Sequence, residues 1–170
     1  MTREILCIGI SKCLLGDKVR YDGGHKRDNF LIEALGRHVE WVPVCPEVEL
    51  GLGTPREPMR LVGNPQAPRL ITITGIDHTD AMNSFARQRI RQLQALDLSG
   101  YVFKADSPSC GITQVPLFNQ DIETNDGVGL FARAFIEYFP LIPIEEESRL
   151  QDLQAVNSFL ERILAYRRTR

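Results

Sequence analysis

The sequence predicts an α/β fold, a single domain whose mostly parallel sheet is flanked by helices in a Rossmann-like arrangement. Short apolar segments alternate along the chain with longer segments of helical periodicity, which is the pattern of β–α–β units. The 170 residues are enough for one domain with a sizeable core. Hydrophobic residues make up 43% and charged residues 25%, which is the balance of a globular protein rather than a disordered one.

Five segments predict strands. Residues 5–10 form a short apolar run between polar residues, which indicates a buried strand. A second predicted strand at 41–44 ends before Pro46, because proline cannot donate a hydrogen bond to a strand ladder. The remaining predicted strands are at 69–74, 101–105 and 141–144.

Four segments predict helices. Asp28 is placed to cap a helix that runs to about Gly36. The clearest periodicity lies at 79–96, where apolar residues recur near helical spacing. These residues are Met82, Phe85, Ala86, Ile90, Leu93 and Leu96. The other two predicted helices are at 127–138 and 153–167.

Two stretches show neither the periodicity of a strand nor that of a helix. Residues 51–68 are rich in glycine and proline and predict a long loop, with an edge strand as an option. Loops of this length are often functional. Residues 115–124 are polar, and we expect them to be irregular.

Three of the four cysteines follow predicted strands. Cys13, Cys45 and Cys110 each lie just beyond a strand, whereas Cys7 lies inside the first one. In an open α/β sheet, sites form outside the carboxyl ends of the strands, so we expect these three cysteines at one edge of the sheet. For Cys7 we expect core packing, because free cysteines are frequently buried.

Charge and composition narrow the class of protein. The net charge of -2 provides no general attraction to nucleic acid, so a nucleic-acid partner is not expected. No apolar run approaches the length of a membrane span, and the first residues lack the pattern of a signal peptide. We therefore expect a cytoplasmic protein, whose cysteines serve as ligands, catalytic thiols or core residues rather than disulfides. Nothing in the sequence predicts the oligomeric state.

Three thiolates suit a soft metal or an iron–sulfur cluster. Three cysteines would leave one iron of a four-iron cubane open for substrate or water. Zinc held by three cysteines and a fourth ligand is an alternative, although structural zinc usually uses closely spaced cysteine pairs and this chain has no C-x-x-C. Catalysis by a cysteine thiol is a further alternative. The spacing of the cysteines alone does not decide between an iron–sulfur cluster, a zinc site and a catalytic thiol.

Five motifs, taken in order, resemble those of the thiouracil desulfidase family, and the resemblance runs from residue 5 to about 150. Each motif alone is weak, but their order and spacing are specific. The motifs are SKCLLG at 11–16, VRYDGG at 19–24, PVCPE at 43–47, SPSCG at 107–111 and GLFAR at 129–133.

The resemblance implies a [4Fe-4S] cluster held by Cys13, Cys45 and Cys110, with the fourth iron free. It also implies removal of sulfur from thiolated uracil, as the base or a nucleotide, to give uracil and sulfide without net redox change. The family's catalytic glutamate and serine match Glu47 and Ser107 in this sequence. For Ser109 we expect only a role in the turn around Pro108.

The same resemblance suggests an organisation for the chain. Residues 1–150 would form the desulfidase domain, and residues 151–170 would add a C-terminal helix. Some members of the family continue from such a helix into a second domain. Alternatives to a desulfidase are an iron–sulfur or zinc module that binds or senses without catalysis, and a thiol-based sulfur transferase with its persulfide on Cys110.

Other polar residues are weaker candidates. Tyr21, Asp22 and His25 lie in the loop after Cys13, where they would contact the ring or order the loop; the latter is favoured because Asp and Gly are common in turns. Arg56 and Arg60 would suit a phosphate if the substrate is a nucleotide. A solvated loop face is an equally good interpretation of both arginines.

Overall fold

The computed structural model describes residues 4–170, so residues 1–3 of the domain predicted at 1–150 lie outside the described part. One sheet carries the predicted α/β core, and all its strands are parallel in the order β2-β1-β5-β8. The strands are β1 (Leu6–Ser11), β2 (Val39–Val44), β5 (Gly100–Phe103) and β8 (Ile144–Glu146). The α/β prediction with a mostly parallel sheet is therefore confirmed.

A second four-stranded sheet was not predicted. Its order is β4-β3-β6-β7, with β3 and β6 parallel and the two outer pairs antiparallel. Its strands are β3 (Met59–Asn64), β4 (Ala67–Thr72), β6 (Val115–Asn119) and β7 (Ile122–Gly127). The prediction that 115–124 is irregular was wrong, and the predicted loop at 51–68 holds β3 and the start of β4.

Five helices connect and cover the sheets in the described chain. They are α1 (Asn29–Gly36), α2 (Pro46–Glu49), α3 (Thr79–Gln94), α4 (Leu130–Tyr138) and α5 (Leu153–Arg168). Asp28 caps α1 as predicted, its side chain accepting a hydrogen bond from the Leu31 amide at 3.0 Å. Residues 12–15 and 147–149 form single 3₁₀ turns.

Two predicted boundaries moved for identifiable reasons. The helix predicted at 127–138 begins at Leu130, because Gly127 is the last residue of β7 and pairs with Val115. The strand predicted at 141–144 is instead Ile144–Glu146, since Leu141 is exposed and Pro143 has no amide hydrogen to donate.

The parallel sheet is buried on both faces. Leu6, Ile8 and Ile10 of β1 pack with α1 and α5 on one face. On the other face, Tyr101 and Phe103 of β5 pack with α3 and α4. The opposite sides of α3 and α4 contact the second sheet, so these two helices lie between the sheets. No helix within residues 4–170 is long and apolar enough to cross a membrane.

The loop after β5 is joined to the start of α4 through backbone atoms. The Leu130 amide donates to the Pro108 carbonyl at 3.1 Å, and the Ala132 amide donates to the Ser109 carbonyl at 3.0 Å. The first amides of a helix have no partner within the helix, so the loop satisfies donors that would otherwise be unpaired. Gly129 permits this close approach, because a Cβ there would lie 2.4 Å from the Ser109 carbonyl carbon.

A buried carboxyl group supports the same loop from the other side. The Glu146 carboxylate accepts a hydrogen bond from the Ile112 amide at 3.3 Å, and the residue is almost fully buried. Burial raises the pKa of Glu146, and the charges of Glu147 and Asp106 raise it further, whereas Arg149 lowers it.

Replacing Gly129 with alanine should lower the free energy of unfolding by about 1–3 kcal/mol, because the added methyl group meets backbone that cannot rotate away. Urea unfolding measures the change. Gly36→Ala is the matched control, since its Cβ would meet nothing closer than 3.8 Å. Equal stability of the two variants would contradict the close contact.

Replacing Glu146 with glutamine should stabilise the protein at neutral pH. An acid whose pKa is raised by folding contributes stability below its ordinary pKa of about 4.3 and loses it as pH rises through the folded value. The difference in unfolding free energy between Glu146→Gln and wild type should therefore vanish at low pH and grow toward neutral pH. A difference independent of pH would show that the carboxyl titrates as in the unfolded chain.

Candidate functional site

A cavity of about 500 Å³ opens at the carboxyl ends of β1, β2 and β5. The loops that follow these three strands form much of its wall, and residues 56–59 close another part. This is the edge where an open α/β sheet presents its sites, because the strand order around β1 places successive loops side by side.

The structure brings three cysteines to this cavity. Cys13 lies on the 3₁₀ turn after β1, Cys45 is the residue before α2, and Cys110 lies in the loop after β5. Cys7 does not line the cavity; it packs beside the core formed by α3 and α4. All four are free thiols.

Burial dominates the electrostatics of the three thiols. It raises the pKa of Cys13 to about 11, although Lys104 and Arg20 oppose the shift. Burial also raises the pKa of Cys45, and it raises that of Cys110 strongly, with a hydrogen bond from Ser11 acting in the opposite sense. Burial therefore favours the protonated thiols, and a metal that binds here would displace their protons.

The three thiols line one cavity of about 500 Å³. In the described chain, no three His, Cys, Asp or Glu side chains lie close enough together to hold a single metal ion. A zinc ion needs its ligand atoms at about 2.0–2.3 Å from one centre, whereas a cubane spreads its ligands over several metal atoms. Three soft thiol donors that line one cavity therefore fit a cluster.

Glu47 is held through both carboxylate oxygens. One oxygen lies 2.5 Å from Nη2 of Arg56, and the other accepts a hydrogen bond from the Ser109 hydroxyl at 3.0 Å. Glu47 belongs to the single turn of α2, two residues after Cys45, and it lines the cavity. Its side chain is 15% exposed, so the carboxylate reaches the cavity while it is kept in one orientation.

Ser107 also lines the cavity, and it organises the third cysteine loop. Its hydroxyl oxygen accepts hydrogen bonds from the amides of Ser109, at 3.2 Å, and Cys110, at 3.0 Å. The oxygen is therefore occupied as an acceptor, while its own proton can be donated into the cavity.

The loop after Cys13 divides into residues that line the cavity and residues that order the loop. Tyr21 lines the cavity, and its carbonyl oxygen accepts from the Arg56 amide at 2.8 Å. Asp22 accepts from the Gly24 amide, and His25 accepts from the Arg27 amide. Neither Asp22 nor His25 lines the cavity, so both have the loop-ordering contacts typical of turns.

The two candidate arginines have different environments. Arg56 lines the cavity with a side chain only 6% exposed, so it is not a solvated loop residue. Arg60 lies on β3 with its guanidinium 4.8 Å from the centre of the Phe118 ring, outside the cavity. The structure does not bring the two together as a phosphate clamp.

Sequence reasoning missed several polar residues of the cavity. Ser109 was expected to shape a turn, yet it donates to Glu47. Ser11 and Lys104 are linked through the Lys104 amide and the Ser11 hydroxyl at 2.9 Å, and both line the cavity. Ser11 and Lys104 lie at the carboxyl ends of β1 and β5, and this position could have identified them from the sequence.

Comparisons with known proteins show the family to which the chain belongs. The model of the family described as 2-thiouracil desulfurase matches residues 8–147. The uncharacterized protein YbbK of Bacillus subtilis (strain 168) is 31% identical over 108 residues, which cover 60% of this chain and 71% of YbbK. The solved structure of the [4Fe-4S]-dependent thiouracil desulfidase TudS superposes with a TM-score of 0.70 at 30% identity, covering 91% of this chain and 99% of that chain.

The matched residues 8–147 include the three cavity cysteines, Glu47 and Ser107, so the match spans the whole site. The similarity to TudS likewise extends over nearly the full length of both chains. From the family match and the shared fold, this chain belongs to the 2-thiouracil desulfurase family.

Proposed function

We propose that this protein removes sulfur from thiolated uracil, as the base or a nucleotide, and releases uracil and sulfide without net redox change. The proposal rests on one observation: Cys13, Cys45 and Cys110 line one cavity. The same cavity contains Glu47, whose two carboxylate oxygens are bound by Arg56 and Ser109. Family membership and the similarity to TudS support it.

Cys13, Cys45 and Cys110 would hold a [4Fe-4S] cluster, since three soft thiol ligands line one cavity. When bound by three cysteines, such a cluster supplies a Lewis-acidic iron to which a soft thiocarbonyl sulfur can bind. The cations Lys104 and Arg20 lie near Cys13 and favour its thiolate form.

In this proposal Glu47 is the general base and then the general acid. Water attacks the thiocarbonyl carbon, a C–O bond forms, and the C–S bond breaks, so one water and one thiocarbonyl yield one carbonyl and one hydrogen sulfide. Glu47 accepts a proton from the attacking water and returns it to the departing sulfur. Ser109 and Arg56 keep its carboxylate aimed during both transfers.

Ser107 acts as a donor to the ring or to the reacting water. Its oxygen is anchored by the amides of Ser109 and Cys110, so the remaining O–H has few directions available besides the cavity. A fixed donor of this kind stabilises charge that develops on the ring as the water attacks.

The alternatives fit these contacts less well. A sensing or structural metal module needs no carboxylate buttressed by an arginine and a serine beside the cysteines. A sulfur transferase needs an activated thiol, whereas burial raises the pKa of Cys110. The cavity of about 500 Å³ is within the usual size range of small-molecule sites. We infer a cytoplasmic location, where thiols stay reduced.

The direct test is anaerobic reconstitution, analysis of iron and acid-labile sulfide, and then sulfide release from 2-thiouracil, 4-thiouracil and their nucleotides. About four irons per chain with sulfide release would support the proposal and identify the substrate. Zinc in place of iron, or a loaded cluster with no release from any of these compounds, would overturn it.

Replacing Cys13, Cys45 or Cys110 singly with serine should abolish stable cluster loading, because each variant lacks one of three thiolate ligands. Iron per chain after anaerobic reconstitution is the measurement. Cys7→Ser is the matched control and should load as wild type, since Cys7 does not line the cavity. Loss of iron from the Cys7 variant alone would contradict the assignment.

Replacing Glu47 with glutamine should lower kcat about 10²–10⁴-fold while the cluster is retained, since the amide cannot accept the proton. Sulfide release at saturating substrate measures this. Glu57→Gln is the control, because Glu57 lines the same cavity but its carboxylate binds Thr74. Full activity of the Glu47 variant would refute the assigned role.

A further inference from the structure

Arg56 is bound on several sides at the cavity wall. Its Nη2 lies 2.5 Å from Glu47, and its Nη1 donates to the Gly53 carbonyl at 2.9 Å. Its backbone amide donates to the Tyr21 carbonyl at 2.8 Å. These contacts fix the plane of the guanidinium group relative to the cavity.

One nitrogen atom of this fixed group, Nε, has no partner among residues 4–170. Nε of Arg56 is fully buried, yet it donates to no atom of the described chain. The whole side chain is only 6% exposed and lines the cavity with the three cysteines. Buried donors in native proteins are nearly always satisfied, and an arginine cannot lose its charge to avoid the penalty. An unmet donor in a cavity wall therefore points to a ligand acceptor.

We propose that Arg56 is a substrate-binding residue that donates its Nε–H to a carbonyl oxygen of the pyrimidine ring while its Nη2 holds Glu47. The inference rests on the proposed function and deepens it, because it specifies an acceptor that the substrate must carry. Arg56 then links recognition of the ring to the placement of the catalytic carboxylate through one rigid, planar group.

Other ligands fit this donor less well. Arg56 already pairs with Glu47, so the charge that would attract a phosphate is largely compensated. A neutral carbonyl oxygen needs only one donor. A ring with an amino group at that position would place donor against donor, so the site selects against it.

Equilibrium binding of uracil to the cluster-loaded protein, by anaerobic calorimetry, separates recognition from turnover. Arg56→Lys keeps a cation near Glu47 but removes the planar Nε–H, and Arg56→Met removes both. We expect uracil affinity to fall about 10- to 100-fold in both variants, the usual cost of losing a hydrogen bond from a charged donor. Iron content and the unfolding midpoint confirm that each variant is folded and loaded.

Arg60→Met is the matched control and should bind uracil as wild type, because Arg60 lies outside the cavity. Two ring analogues that each lack one oxygen, 2-pyrimidinone and 4-pyrimidinone, locate the contact. The wild-type protein should bind one of the two analogues more weakly than it binds uracil. In Arg56→Met this difference in affinity between the analogue and uracil should disappear, as a double-mutant cycle requires for a direct contact.

Unchanged uracil affinity in both Arg56 variants, with only kcat reduced, would overturn the proposal and leave Arg56 as a positioning residue for Glu47. Wild type that does not bind uracil would overturn it too. The proposed function is judged separately, by sulfide release from the same wild-type preparation. Uracil binding that depends on Arg56, in a protein that releases no sulfide, would refute the desulfidase activity while supporting this contact.

Discussion

The backbone contact between the Cys110 loop and the start of α4 is the constraint on which the site depends. The loop carbonyls satisfy the first amides of α4, and Gly129 lets the two chains approach without a side chain between them. This contact fixes Cys110 and also Ser109, which holds Glu47. A loop after a strand would otherwise be mobile, and a cavity lined by three such loops could not keep its donors in place.

Two ion pairs lie at the cavity, and each includes at least one residue of its lining. Arg56 and Ser109 satisfy both oxygens of Glu47, while Lys104 and Glu147 pair at 2.8 Å on the side of Cys13. Removing one partner from a buried ion pair leaves an uncompensated charge, which is strongly unfavourable. The two pairs therefore hold Arg56 and Lys104 in the lining that carries the three cysteines, where thiolate ligands need nearby positive charge.

The sequence predicted the parallel sheet better than the second sheet, for a physical reason. Strands β1 and β5 are buried on both faces and appear as continuous apolar runs. In contrast, β7 is exposed over nearly its whole length and has no apolar period, and β3 pairs in parallel with β6 from more than fifty residues away. Such a strand is stabilised by its neighbours, so its own composition does not reveal it.

The sequence by itself determined the strand–helix alternation, the three cysteines at one sheet edge and Glu47 beside the second of them. These features follow from local periodicity and from positions relative to strand ends. Only the tertiary structure decided that Ser109 and Arg56 hold Glu47, and that Arg56 enters the cavity while Arg60 does not. Ser109 and Glu47 are separated by 62 residues, and a hydrogen bond over that distance depends on how loops pack rather than on any local pattern.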